Sequence, residues 1–201
     1  MPDQPELQVI SGRLERGEID SAQFLEQLMR FVAAQIGCTR TAFRVFVDTD
    51  HGRVLRCAAM FDSRVDAMVP AVDVVHAENG AYLDRLQSDG CVCLPHVLED
   101  RIAVGPLRDY LEAAHVVSLM DMSFSVNGVL FGTFSCEQLD HPVDWTQRQL
   151  QTLRKIAARA SLTLMHVVTG TVDTAPGALW ETSTPNRLAT MPMPLNFLPE
   201  A

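Results

Sequence analysis

Apolar residues recur three and four positions apart twice near the start of the chain. Leu7, Ile10 and Leu14 predict a short helix over Leu7–Arg16. Phe24, Leu28, Phe31, Val32 and Ile36 predict a longer one, capped by Ser21 and stopped at Gly37. The pattern then changes to β-branched and aromatic runs, Thr41–Val47 and Val54–Phe61, which flank Asp48-Thr49-Asp50-His51-Gly52 and predict a hairpin with a five-residue connection. Asp62–Glu78 has no clear period. Ala81–Leu86 is briefly helical before Asp89-Gly90 breaks it, Cys91–Leu94 reads as a short strand, and Leu107–Ala114 is helical again. Val116–Val126 and Val129–Cys136 predict two strands joined by Asn127-Gly128, residues that tolerate the positive φ a two-residue hairpin turn requires. Asp144 then caps a long helix in which Leu150, Leu153, Ala157, Ala160, Leu164 and Val167 form a short heptad-like seam, fit for docking on a sheet, for half of a dimer bundle, or for both. Beyond Thr169 the prolines Pro176, Pro185, Pro192, Pro194 and Pro199 forbid regular helix or central strand, so 1–168 reads as a single domain and 169–201 as a Pro/Thr-rich tail.

Helix, hairpin, irregular middle, hairpin, long helix is the order of an α+β sandwich: one antiparallel sheet with the N- and C-terminal helices on one face and the irregular middle segment covering the other. The run Ser118-Leu119-Met120-Asp121-Met122, then Val126-Asn127-Gly128-Val129-Leu130-Phe131-Gly132-Thr133-Phe134-Ser135-Cys136-Glu137, resembles the final hairpin of a GAF domain. Trp145-Thr146 and the helix through Ala157, Ala158 and Leu162 continue the likeness. It is similar in particular to the GAF modules of bacterial sensor kinases and diguanylate cyclases. The likeness is specific over residues 90–166 and topological over 7–89. Ser123, Gln138 and Asp144 depart from it, standing where those modules usually carry Pro, His and Arg. The resemblance implies a ligand-type pocket under the middle segment, pairing of two copies through the terminal helices, and a sensory rather than catalytic role.

Composition narrows the picture. The formal net charge of −9 and the absence of a basic cluster argue against a nucleic-acid surface, because phosphate binding relies on clustered Lys and Arg. No basic segment leads an apolar run at the start, and nowhere do eighteen apolar residues run together, so neither export nor a membrane span is expected and the chain reads as cytoplasmic. Five cysteines, an odd number, then read as reduced thiols.

Candidate chemistry clusters in the final hairpin and the middle segment. With a two-residue turn at Asn127-Gly128, Asp121, Ser123, Gly132, Phe134 and Cys136 share one face, and Met120, Met122, Phe131, Thr133 and Ser135 the other. Asp121 is expected to face the middle segment, since a carboxylate under packed helices is costly without a partner. Gly132 marks a close backbone approach or a bulge, and Trp145 an anchor where the last helix docks. The resemblance places Tyr82, Arg85, Arg101 and Arg108 in the lid of the pocket, where an anionic ligand needs at least one inward Arg. Bilin-binding relatives attach their chromophore through a Cys just before a His; here Ala114 precedes His115, so no covalent bilin is expected, and His115 stays a candidate for a non-covalent ligand or for a helix-terminal role. Cys91-x-Cys93 with His96 admits a metal reading but shows no fourth ligand, and paired strand cysteines also simply pack.

The candidate ligand-binding residues are therefore Tyr82, Arg108, His115, Asp121, Ser123, Phe134 and Cys136, with no catalytic or metal residue and no identified cofactor. The expected function is a stand-alone regulatory module that binds a small molecule or a signalling protein and acts by association, since no output motif follows residue 169. Two alternatives remain open: a thiol-dependent free methionine sulfoxide reductase using Cys91, Cys93 and Cys136, and a scaffold whose pocket is filled by its own side chains. The tail run Met191-Pro192-Met193-Pro194-Leu195-Asn196-Phe197-Leu198-Pro199 adds to an edge of its own or a neighbour's sheet, binds a partner as a peptide, or is unattached chain.

Overall fold

Helices α1 (Pro5–Glu15) and α2 (Ser21–Ile36) form where the apolar spacing predicts them. The structure, a computed structural model, describes residues 5–50, 52–70, 73–75, 80–126 and 129–170. The N-cap of α2 is Asp20, one residue before the expected Ser21. Asp20 accepts the Gln23 amide at 2.8 Å while the Gln23 side chain accepts the Asp20 amide at 3.0 Å. That reciprocal box needs Gln or Glu three residues on, which Asp20 has and Ser21 lacks. Gly37, at φ 74°, closes the helix in the left-handed conformation. Asp20→Ala should lower the unfolding free energy by about 1 kcal/mol, read as a shift in urea midpoint at unchanged slope.

The strands are β1 (Arg40–Thr49), β2 (Gly52–Asp62), β3 (Ala67–Met68), β4 (Val74–Val75), β5 (Cys91–Leu94), β6 (Ser118–Val126) and β7 (Val129–Gln138). They form one antiparallel sheet in the order β3-β2-β1-β7-β6-β5, with β4 also pairing β2. The middle segment supplies α3 (Gly80–Asp89) and α4 (Gly105–Ala113), and the chain is described to the end of α5 (Gln147–Gly170). The β1–β2 connection is tighter than the five residues expected, because Asp48 pairs Arg53 and Thr49 pairs Gly52. The long helix likewise starts later than Asp144: Thr146 Oγ1 accepts the Gln149 amide at 3.2 Å and Gln149 Oε1 accepts the Thr146 amide at 2.9 Å, a second reciprocal box. His51, the Asn127-Gly128 turn and the tail from 171 onward lie outside the described residues, although Val126 and Val129 pair on either side of the turn.

One face of the sheet is backed by α1, α2 and α5 over an apolar layer centred on Phe43, Phe124 and Phe134, whose ring centroids lie 5.3–5.9 Å apart. The seam of α5 is spent here: Leu153, Ala157, Ala160, Leu164 and Val167 are all buried against the sheet and α2. Gln149 Nε2 adds a tie to Ile36 O at 2.9 Å, joining the start of α5 to the end of α2. Trp145 packs half-buried at the edge of the same layer, as its size suits. On the opposite face α3 and α4 cover the sheet with Tyr82, Leu86, Leu107 and Leu111 against Val92, Leu94 and Leu119. The helices at the chain ends thus seal one side, and the middle segment covers the other.

A bulge decides which residues reach which side. Pairing runs Val126↔Val129 and Ser125↔Leu130, then resumes as Phe124↔Gly132, so Phe131 is an extra residue on β7. A one-residue slip exchanges the faces of everything beyond it. Met120 therefore pairs Cys136, Asp121 pairs Ser135 and Met122 pairs Phe134. The expected grouping of Asp121 and Ser123 with Phe134 and Cys136 is corrected: Phe134 and Cys136 join Met120 and Met122 under the helices, while Asp121 shares the α3–α4 side with Ser135.

Candidate functional site

The α3–α4 side of the sheet carries a buried polar cluster. On β1, Ala42 and Arg44 alternate with Phe43 and Val45; the latter pair enter the helical layer, which sends Arg44 to the other side, where it is 3% exposed. Its Nη2 donates to Glu137 Oε1 on β7 at 2.9 Å and to the Tyr110 hydroxyl on α4 at 3.0 Å. Tyr110 in turn donates to Glu137 Oε1 at 2.7 Å, and its ring lies 5.2 Å from the Arg44 guanidinium carbon. Arg40 sits between Glu137 at 3.4 Å and Asp62 at 3.5 Å. Beside this group, Tyr82 of α3 donates to Asp121 Oδ2 on β6.

These side chains fill the space in which the sequence suggests a pocket. What remains between Arg44, Leu55, Tyr82, Leu107, Tyr110, Leu111, Leu119, Asp121 and Glu137 is a cavity of about 10 Å³. That is roughly the room one water molecule needs. Several buried polar atoms nearby have no hydrogen-bond partner among the described residues: Arg44 Nε, Asp121 Oδ1, Thr133 Oγ1 and Ser135 Oγ. Each such atom costs roughly 1–3 kcal/mol of desolvation.

Burial sets the titration of the cluster. It pushes the Asp121 carboxyl above the ordinary aspartate range, an effect that Arg44 offsets only in part. It also raises Tyr82 well above a free phenol, reinforced by Asp121, and raises Tyr110, reinforced by Glu137, so both phenols stay protonated donors. For Arg44 burial works against the charge, but Tyr110 and Glu137 outweigh it and the guanidinium is held. Because folded Asp121 binds its proton more tightly than the unfolded chain does, its contribution to stability falls as pH rises from about 4, the unfolded value, through its raised folded value. Asp62 has the opposite sign: Arg64, bonding it through side chain and backbone, depresses its folded value, so its contribution is lost as pH falls below the ordinary range. Asp121→Asn should flatten the decline on the alkaline side of pH 4 and leave the acid limb in place, measured by urea unfolding across pH.

Of the seven residues singled out from the sequence, Tyr82 and Asp121 meet at this site. Arg108 forms an ion pair along α4 with Glu112 at 2.8 Å, and His115 is exposed just past the helix at φ 54°. Ser123 donates to Gly90 O at 3.1 Å, fastening β6 to the start of β5 rather than lining the cavity. Phe134 and Cys136 lie under the helices. Arg85 pairs with Asp89 on the surface, and Arg101 is exposed. The inward cation is Arg44, with Tyr110 and Glu137, none of which sequence reasoning selected. The available signal was an arginine between two large apolar residues in a strand.

The cysteines also sort by face. Cys91 and Cys93 pack half-buried against the helical layer, where burial and the neighbouring Cys91 lift Cys93 to about 11. Cys93 and Cys136 are separated by Met120 in the ladder, roughly 10 Å at two strand spacings and beyond the roughly 7 Å reach of a disulfide. The thiol beside Cys136 is that of Cys38. His96 is exposed, and among the described residues no group of three or more His, Cys, Asp or Glu is placed to hold a metal ion.

The model of the GAF domain matches residues 20–164, most of the chain. The chain belongs to the GAF domain family. No curated protein matches it in sequence. Among solved structures this GAF domain is similar to the phycocyanobilin-bound GAF domain of a cyanobacterial phytochrome, with a TM-score of 0.64 at 13% identity over 87% of this chain and 98% of that one. It is similar also to a far-red cyanobacteriochrome photoreceptor, at 0.61 and 13% over 82% and 96%. A third is a GAF domain/HD domain protein from Geobacter sulfurreducens, at 0.59 and 13% over 79% and 97%. At such identities the likeness shows the fold. GAF domains are in general sensory or regulatory modules that bind small molecules and are non-catalytic, and among the described residues no helix is long and apolar enough to cross a membrane.

Proposed function

We propose that this GAF domain is a bacterial, cytoplasmic sensory module: a small molecule enters on the α3–α4 side, and the change passes through the sheet to the terminal helices and from there to a partner. The supporting observation is the contrast between the two faces of the sheet. The helix-backed face is apolar, whereas the covered face spends free energy to bury Arg44, Asp121, Thr133 and Ser135 with polar atoms unpartnered. Polar groups held unmatched at a cavity are suited to a ligand that completes them. Thermal-shift and calorimetric titration across cyclic nucleotides, amino acids and tetrapyrroles tests this: the reading expects one class to raise the melting temperature in proportion to log concentration, and a flat response to every class counts against it.

A second reading, the ligand-free scaffold, is favoured by the cavity of about 10 Å³. It expects that flat response. The thiol-reductase reading draws no support from the geometry, since Cys91, Cys93 and Cys136 belong to the opposite side of the sheet. Covalent bilin attachment is also left out of the proposal, because Ala114 stands where the attaching Cys of bilin-binding relatives precedes the His.

Association through the terminal helices is part of the proposal. Because the α5 seam is buried within the chain, a dimer must use the outer surface of α1 and α5, where Val9 is 58% and Leu162 63% exposed and Ser11 and Thr163 meet at 3.4 Å. Leu162→Glu should then convert a dimer to a monomer in sedimentation without changing the circular dichroism; a monomeric wild type, or a variant that still dimerises, removes this element. Because α5 runs to Gly170, two residues past the expected boundary, the proposed tail outside the domain begins at residue 171.

A further inference from the structure

The two covering helices are fastened by one device used twice. Each sends down a buried tyrosine whose phenol donates to a carboxyl group on the sheet, Tyr82 to Asp121 and Tyr110 to Glu137. The two fastenings differ in charge. Glu137 is matched by Arg44 at 2.9 Å and Arg40 at 3.4 Å. Asp121 is 2% exposed, forms no ion pair among the described residues, and keeps Oδ1 unpartnered where it lines the cavity. Among the described residues the hydrogen bond to its Oδ2 comes from the phenol of a helix that covers the site, with the Ser135 side chain close beside the carboxyl on β7.

We propose that Asp121 recognises a small organic cation bearing N–H donors, an ammonium, amidinium or guanidinium, which displaces the Tyr82 hydroxyl and so releases α3 from the sheet. This rests on the reading of the covered face as a ligand site. Whatever replaces the phenol must donate, because an ionised carboxylate only accepts. A cation supplies the charge Asp121 lacks in a low-dielectric setting, where charge-assisted hydrogen bonds are about twice as strong as neutral ones. An anion would meet two carboxyl groups, with the Nη2 of Arg44 already committed to Glu137 and Tyr110 and Nε left as its one unpartnered buried donor among the described residues. The cavity of about 10 Å³ admits no such ligand while the Tyr82 ring stays in place, so entry and release of α3 are one event. The upward displacement of the Asp121 carboxyl by burial agrees: Arg44 offsets it only in part, so a cation bonded directly to the carboxyl adds the attraction that is missing.

The test uses three probes of one size and different charge, benzamidine as its cation, neutral benzamide, and benzoate, titrated by calorimetry into the full chain and into Tyr82→Ala, where loss of the ring leaves a space shaped for a six-membered ring beside Asp121. The expected result is that Tyr82→Ala binds benzamidine at least about tenfold more tightly than benzamide, the scale of one hydrogen bond to a charged group, with no measurable binding of benzoate. Adding Asp121→Asn should abolish that preference. Should Tyr82→Ala fail to fold, Tyr82→Phe keeps the ring and removes the competing hydroxyl, and benzamidine should raise its melting temperature more than that of the wild type. Equal or tighter binding of benzamide or benzoate overturns the cation assignment while leaving a ligand site in place. Absence of binding by all three probes to the wild type and the folded Tyr82 variant overturns both.

Discussion

Replacing Glu137 with alanine should lower the unfolding free energy by about 3–5 kcal/mol, the largest loss expected of a single polar substitution in this chain. Glu137 is fully buried and is the common acceptor of the site: Arg44 and Tyr110 bond its Oε1 at 2.9 and 2.7 Å, and Arg40 reaches its Oε2 at 3.4 Å. Removing the carboxylate leaves the Arg44 guanidinium at 3% exposure without its ion-pair partner, and breaking a buried pair from one side typically costs that much. Tyr110→Phe removes one donor and keeps the ion pair, so it should cost about 1 kcal/mol. The double change Arg44→Met with Glu137→Leu should recover most of the loss, because an apolar pair of similar volume no longer buries a charge. Urea unfolding of the four proteins gives the comparison. Equal destabilisation by Tyr110→Phe and Glu137→Ala would mean that the ion pair contributes nothing beyond the phenol bond.

Gly132→Ala should cost about 3 kcal/mol or more although it adds one methyl group. A Cβ built there lies 2.0 Å from Arg44 O and 2.8 Å from Phe124 Cε1. The first contact is backbone on the neighbouring strand, so it cannot be relieved by a rotamer change. Either β1 and β7 separate or the bulge at Phe131 rearranges, and the common overpacking cost of 1–3 kcal/mol is a lower guide because the clash is with main chain. The site would suffer with the fold, since Arg44 is carried on the strand that must move. Gly132→Ala should therefore lower the melting temperature by more than Asp20→Ala does and weaken any ligand response at the same time. A variant as stable as the wild type would show that the close approach of the two strands is not as described.

The fold was legible because most of its elements carry their reason locally. The apolar spacing of α2 and α5 and the β-branched runs of β1, β2, β6 and β7 each point to one state, and Cys91–Leu94 is the observed β5. Caps were off by one or two residues because acceptors stand close together in sequence: Asp20 before Ser21, and Thr146 after Asp144. The partner Gln23 chooses Asp20, since Ser21 has Phe24 in that place, but Asp144 and Thr146 each have a Gln three positions on and only the folded structure shows that Thr146 is used. The site was less legible for a reason of register. Nothing in Val129-Leu130-Phe131 announces the extra residue, yet it moves Phe134 and Cys136 from the candidate site into the helical layer. Gly132 was the local trace of it. Arg44 and Glu137 sit on β1 and β7, and Tyr110 comes from α4, so their meeting exists only in the assembled sheet. Arg85, Arg101 and Arg108 carried the expected charge but stand on outer surfaces of the middle segment, where solvent holds them more cheaply than the interior would.

The central claim is that the α3–α4 side opens as a unit while the helix-backed side of the sheet stays closed. Native-state amide hydrogen exchange, followed residue by residue in increasing sub-denaturing urea, reads this directly. Amides of α3, β5 and α4 should share one opening free energy below that of global unfolding, and those of α2, β1 and β7 should exchange only through the global transition. Tyr82→Phe should lower the first value and leave the protection order intact. A single free energy shared by all these elements, with no earlier opening of α3 and α4, would contradict the account.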